Sequence, residues 1–117
     1  ANAGIETGDS SVEDITMEAW ERVMGVNLTG VMLTIQHAIR AMRANPDGPA
    51  GSIIVNSSMS AYRPLANYVA YSTSKGALIA LTSSITVNAR LWNWTLSWIM
   101  AWVPTTSAAC PEAISAS

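Results

Sequence analysis

The sequence contains no phenylalanine, one cysteine, one histidine and one lysine. A lone cysteine, Cys110, cannot close an internal disulfide, which points to a reducing, cytoplasmic setting for the chain. The lone histidine, His37, has no neighbouring acids or cysteines at ligand spacing, so a metal centre is not expected. Only 12% of the residues are charged and the net charge is −2, which gives no basic footprint for nucleic acid or an anionic membrane. No apolar run is long enough to span a bilayer, and no signal-peptide pattern opens the chain. What is abundant is apolar material: half of the 117 residues are hydrophobic, enough for one packed domain.

The apolar residues fall into an ordered pattern. Thr16 reads as an N-cap with Glu18 in the first turn. From there to about Asn45 the positions Trp20, Met24, Val31, Ile35, Ala38 and Met42 recur at steps of three, four or seven, one face of a long helix. The segment 45–49, Asn-Pro-Asp-Gly-Pro, ends it. Residues 51–58, GSIIVNSS, carry a continuous β-branched run that suits a strand covered on both faces. After a loop over 59–67, a second helix is expected from about Asn67 to Arg90, with Leu78, Leu81 and Ile85 as its apolar stripe. Helix, buried strand, helix is the order of a doubly wound parallel α/β sheet. Residues 92–117 form a separate, tryptophan-rich tail. Its stretch TLSWIMAWV fits a strand or a helix equally, and residues 106–117 are expected to fray.

The one lysine, Lys75, stands four residues after Tyr71 on the second helix. Residues so spaced share a helix face, with β-carbons about 5–6 Å apart. A cation some 4 Å from a phenolic oxygen favours the phenolate by roughly 4 kcal/mol at an effective dielectric of 20. Such a pair can exchange a proton near neutral pH, as general acid–base work requires. The same spacing also arises in ordinary solvated pairs. Ser58 ends the buried strand, where ligands of open α/β sheets sit, although a serine there also suits a turn or cap. Asn27 interrupts the apolar stripe between Met24 and Val31, flanked by Gly25 and Gly30, and a polar group on a buried face needs a partner.

Taken in order, these residues resemble the classical short-chain dehydrogenase/reductase family. Asn2-Ala3-Gly4 resembles its N-N-A-G segment, with Ala1 where the first Asn is usual. Asn27 in VNLTG corresponds to its helix asparagine. Ser58 lies thirteen residues before Tyr71, as the family's serine does, and YSTSK matches its Y-x-x-x-K. The resemblance covers residues 1 to about 91. It implies a fragment of a Rossmann fold, with two long helices flanking one full strand and a clipped strand at the N-terminus. It also implies hydride transfer between NAD or NADP and a small alcohol or carbonyl substrate. Tyr71 would act as the acid/base. Lys75 would assist it and bind the nicotinamide ribose. Ser58 would polarise the substrate oxygen, and Asn27 would hold a water in a proton relay. Asn2, Ala3 and Gly4 would lie against the cofactor. Homo-oligomers of a full-length parent would form through the long helices, with Ala70, Ser74 and Ala77 allowing close contact.

None of the seven glycines forms the Gly-rich pyrophosphate turn of that family. The resemblance therefore suggests a segment inactive by itself. The alternative is a non-catalytic truncated product that at most pairs with intact subunits.

Overall fold

The computed structural model describes residues 1–8, 11–47, 51–89 and 95–101, the backbone alone beyond residue 85. A helical rod comes first, and it is not uniform. An α-helix, α1, runs over Met17–Met24 and a second, α2, over Val31–Arg43. Between them Gly25–Gly30 is π-helical. Thr16 caps α1 as expected, its hydroxyl accepting from the Ala19 N–H at 3.1 Å.

The π turn lets one buried row run through both helices, entering at Val23 rather than at Met24. Val23, Asn27, Val31 and Ile35 are all buried, each four residues after the last. In a pure α-helix a step of four overshoots the 3.6-residue turn and the row drifts around the rod. The wider π turn takes up that drift, so Asn27 and Val31 stay on the face that Val23 and Ile35 occupy.

Strand β1 spans Ser52–Ser58, and a short 3₁₀ turn over Met59–Ala61 follows it. Helix α3 spans Val69–Ala89, starting two residues later than expected because Asn67 sits in the left-handed region at φ 63°. Strand β2, Thr95–Ala101, then lies parallel to β1, pairing Ser52 with Thr95 and Ser58 with Ala101. Of the stretch that fitted strand or helix, Thr95–Ala101 is a strand paired along β1. Trp92, Trp94, Thr105, Cys110 and the ending expected to fray lie outside the described residues.

The core is one cluster of Val31, Ile35, Ile53, Val55 and Leu78, with Leu28, Met42, Leu81 and Ile85 packed around it. Ile53 and Val55 point to the same side of β1, and residues of α2 and α3 meet them there. Both helices pack against the face of β1 that carries Ile53 and Val55. Ile54, on the other face, is 51% exposed, so the expected double cover is absent among the described residues. The clipped N-terminal strand is likewise reduced to one point of pairing. The Ala1 amine donates to the Ile54 carbonyl, and the Asn56 N–H donates to the Ala1 carbonyl at 3.0 Å.

Candidate active site

Both β1 and α3 bring their polar ends to one place. Ser57, 3% exposed, donates its hydroxyl to the Lys75 carbonyl at 2.9 Å, fixing the end of β1 against the turn of α3 that carries the lysine. Lys75 is 5% exposed, and its ammonium donates to the Asn56 carbonyl at 3.2 Å. The ammonium stands 5.7 Å from the centroid of the Tyr71 ring, so the two residues share one helical turn and one site. The Tyr68 ring meets that of Tyr71 edge-on, centroids 6.4 Å apart. Burial pushes the Lys75 ammonium below its ordinary value of 10.5, because water that would hold the charge is excluded.

Asn2, Gly4, Ile5, Glu6, Asn56, Ser57, Tyr71 and Lys75 line a pocket of about 230 Å³. Gly4 is there for close approach: a β-carbon on it would lie 3.4 Å from the Lys75 Nζ and 3.6 Å from the Asn27 Oδ1. At those distances a β-carbon would be in ordinary van der Waals contact with the ammonium. Asn2 meets the neighbouring wall, accepting at its Oδ1 from the Asn56 amide at 2.5 Å. Ala3 is exposed and is not among the lining residues.

Asn27 is wholly buried behind this pocket. Its Oδ1 accepts from the Ile5 N–H at 2.7 Å, while its Nδ2 donates to the Ile5 carbonyl at 2.9 Å and the Ser74 hydroxyl at 3.1 Å. The polar interruption of the apolar stripe is thus a peg joining the N-terminal segment, the π turn and α3. Asn27→Ala leaves both backbone groups of Ile5 without partners in a half-buried setting. We expect it to lower stability by about 2–4 kcal/mol, read as a fall in the urea midpoint without a change in slope.

Ser58 is placed differently from Tyr71 and Lys75. It is 8% exposed and caps the 3₁₀ turn, its oxygen accepting from the Ser60 N–H at 3.2 Å. It adjoins the pocket through Ser57 but is not one of the lining residues. Sequence reasoning also missed Asn56, Ser57, Ser74 and Glu6. Asn56 and Ser57 were visible in the NSS that ends the strand, yet nothing in the text said which of its faces meets α3. Ala70 and Ser74 are fully buried within the chain, so they serve contact inside it rather than an open helix face.

Among the described residues no cluster of His, Cys, Asp or Glu could hold a metal ion, and no helix is long and apolar enough to cross a membrane.

Comparison with known proteins gives a consistent picture. The glucose 1-dehydrogenase of Gluconobacter oxydans is 48% identical over 77 residues, 66% of this chain and 28% of that protein. The chain spans about a third of the curated relatives it matches, between 28% and 35% of their lengths. A 3-ketoacyl-(acyl-carrier-protein) reductase from Brucella melitensis, solved with NADH, superposes at a TM-score of 0.79 with 25% identity, covering 86% of this chain and 42% of that one. An NAD⁺-bound xylitol dehydrogenase superposes at 0.78 with 30% identity, over 86% and 38%. The fold is therefore a piece of the Rossmann α/β architecture that these dehydrogenases share. A sequence model of the short chain dehydrogenase family matches residues 1–108, which carries the likeness past residue 91 and through β2. On the extent of that match, the chain belongs to the short chain dehydrogenase family.

Proposed function

We propose that this chain is the catalytic-centre segment of an NAD- or NADP-dependent oxidoreductase acting on a small alcohol or carbonyl compound. The observation that carries this reading is the meeting of Tyr71 and a buried Lys75 in one pocket walled by Asn2 and Gly4. The pocket suits part of such a cofactor. Its volume of about 230 Å³ falls below the range of whole-ligand sites, about 300–1,000 Å³, and fits a sugar-sized portion. Lys75 has three N–H donors, one of them on the Asn56 carbonyl, and the buried Oδ1 of Asn56 has no partner among the described residues. A ribose, which both donates and accepts, matches that set.

The cofactor, when bound, supplies or accepts the hydride. The residues of this chain handle the proton and the positioning. Tyr71 takes the hydroxyl proton of an alcohol, or returns it to a carbonyl oxygen in the reverse direction. Lys75 holds the ribose and stabilises the phenolate across the 5.7 Å that separates its nitrogen from the ring centroid. Ser58 donates its hydroxyl to the substrate oxygen. Asn27, its amide committed to Ile5 and Ser74, keeps the N-terminal wall of the pocket against α3.

Activity is assigned to a full-length enzyme containing this segment, and the chain alone is read as inactive because it carries no Gly-rich turn for the pyrophosphate. Exposed Met32 and Leu33 on α2 support association of the parent through its helices. The lone cysteine supports a cytoplasmic location.

A chimera tests the reading. Residues 1–89 replace the corresponding stretch of the Gluconobacter oxydans enzyme, 77 residues of which align with this chain, and the host supplies the rest of the fold. Glucose deuterated at C1 should reduce the nicotinamide more slowly than glucose and pass its deuterium to the reduced ring. A folded chimera without this transfer would refute the proposal.

A further inference from the structure

We infer that Ser74 is a positioning residue for the acid/base centre, the connection that holds the turn of Tyr71 and Lys75 at a fixed distance from the opposite pocket wall. The inference rests on the role proposed for Tyr71. It comes from one oxygen atom with two long-term commitments. The Ser74 hydroxyl donates to the Tyr71 carbonyl at 2.7 Å and accepts from the Asn27 Nδ2 at 3.1 Å. The residue is 0% exposed, so neither bond competes with water.

A helical serine bonding back to a carbonyl three residues earlier is a common local arrangement and would mean little by itself. Here the same oxygen is gripped from 47 positions away by a buried amide. That amide also holds both backbone groups of Ile5. A continuous path therefore runs from the Ile5 backbone through Asn27 and Ser74 to the backbone of Tyr71. Ile5 and Tyr71 both line the pocket. Each bond in the path fixes the sense of the next. With its proton on the Tyr71 carbonyl, Ser74 must accept, so the Asn27 amide turns its NH₂ toward α3 and its oxygen toward the Ile5 N–H. The π turn that carries Asn27 is in this way keyed to the turn that carries the phenol.

Removing the Ser74 hydroxyl breaks the path in the middle while every pocket-lining residue keeps its own side chain. In the chimera, Ser74→Ala should lower kcat about tenfold while cofactor KM stays within about twofold, because a misplaced phenol slows proton transfer more than it weakens binding. Ser74→Thr keeps the hydroxyl and should restore kcat to within about threefold of the parent. In the double variant with Asn27→Ala, kcat should be no lower than in Asn27→Ala alone, within about twofold, since both changes cut one path.

Ser74→Ala with parental kcat would overturn the inference. So would losses that multiply in the double variant, or a folded Ser74→Thr as slow as the alanine variant. Should Ser74→Ala not fold, the threonine variant decides: tenfold loss in a folded protein rejects the positioning role. Tyr71→Phe, run beside them, separates the two levels. Retained turnover there removes the proposed acid/base role and this inference with it. Lost turnover there with an unaffected Ser74→Ala removes this inference alone.

Discussion

Tyr71→Phe in the chimera should lower kcat by about 10³-fold and leave cofactor affinity within about twofold. The substitution removes one oxygen from a half-buried ring and keeps the ring's contact with Tyr68 and its place beside the ammonium. General acid–base catalysis by one side chain contributes about 10²–10⁴-fold, and Tyr71 is the group assigned to it among the described residues lining the pocket. Ser57 is committed to the Lys75 carbonyl, and Glu6 is exposed. Stopped-flow measurement of the chemical step, with nicotinamide fluorescence for binding, separates the two quantities. Equal losses in turnover and affinity would argue for a structural tyrosine.

Lys75→Met should raise stability while lowering turnover. The ammonium is 5% exposed and is held by a carbonyl, a poor replacement for water around a full charge. Its pKa lies below 10.5 for that reason. At pH values below the lowered pKa the folded protein carries the charge at a cost. Between the lowered pKa and 10.5 the unfolded chain binds more protons than the folded one, so this group's contribution to stability rises with pH across that window and is level above it. A methionine of similar length pays none of the cost. We expect Lys75→Met to raise stability near neutral pH by roughly 1 kcal/mol, or about 2–4 °C in the chimera, with the advantage shrinking as pH approaches 10.5. Turnover should fall at least about 10²-fold and cofactor affinity should weaken about tenfold, since both the phenolate and the ribose lose their cation. A thermal melt series from pH 7 to 10.5 on both proteins checks the sign. A destabilised methionine variant at every pH would mean that the ammonium is better satisfied than its surroundings indicate.

Much of this was readable before any coordinates, for a physical reason that differs from part to part. The Tyr71–Lys75 pair was legible because helical geometry converts a spacing of four directly into a shared face. Thr16 was legible because capping is local. The strand IIV is legible because β-branched residues record preference for extended backbone, but they do not record how many neighbours cover it among the described residues. Ile54 is apolar and half exposed all the same. The break in the first helix was signalled by Gly25, Asn27 and Gly30, yet a π turn inserts its extra width through hydrogen bonding that composition does not encode. Ser74 was singled out only for its size. Its role depends on Asn27 across 47 positions, a relation that no local pattern carries. Ser58 shows the converse. Spacing placed it correctly at the end of β1, while the direction of its hydroxyl is set by the 3₁₀ turn that follows.

The most direct test of the central claim is a crystal structure of the chimera with the nicotinamide cofactor it turns over. The account predicts the nicotinamide ribose in the pocket between Gly4 and Asn56, with the Lys75 Nζ in hydrogen-bond contact with its hydroxyls and the Tyr71 phenol facing the reactive carbon of the ring. A cofactor bound with Lys75 still turned only to the Asn56 carbonyl, and with Tyr71 out of reach of the nicotinamide, would contradict it.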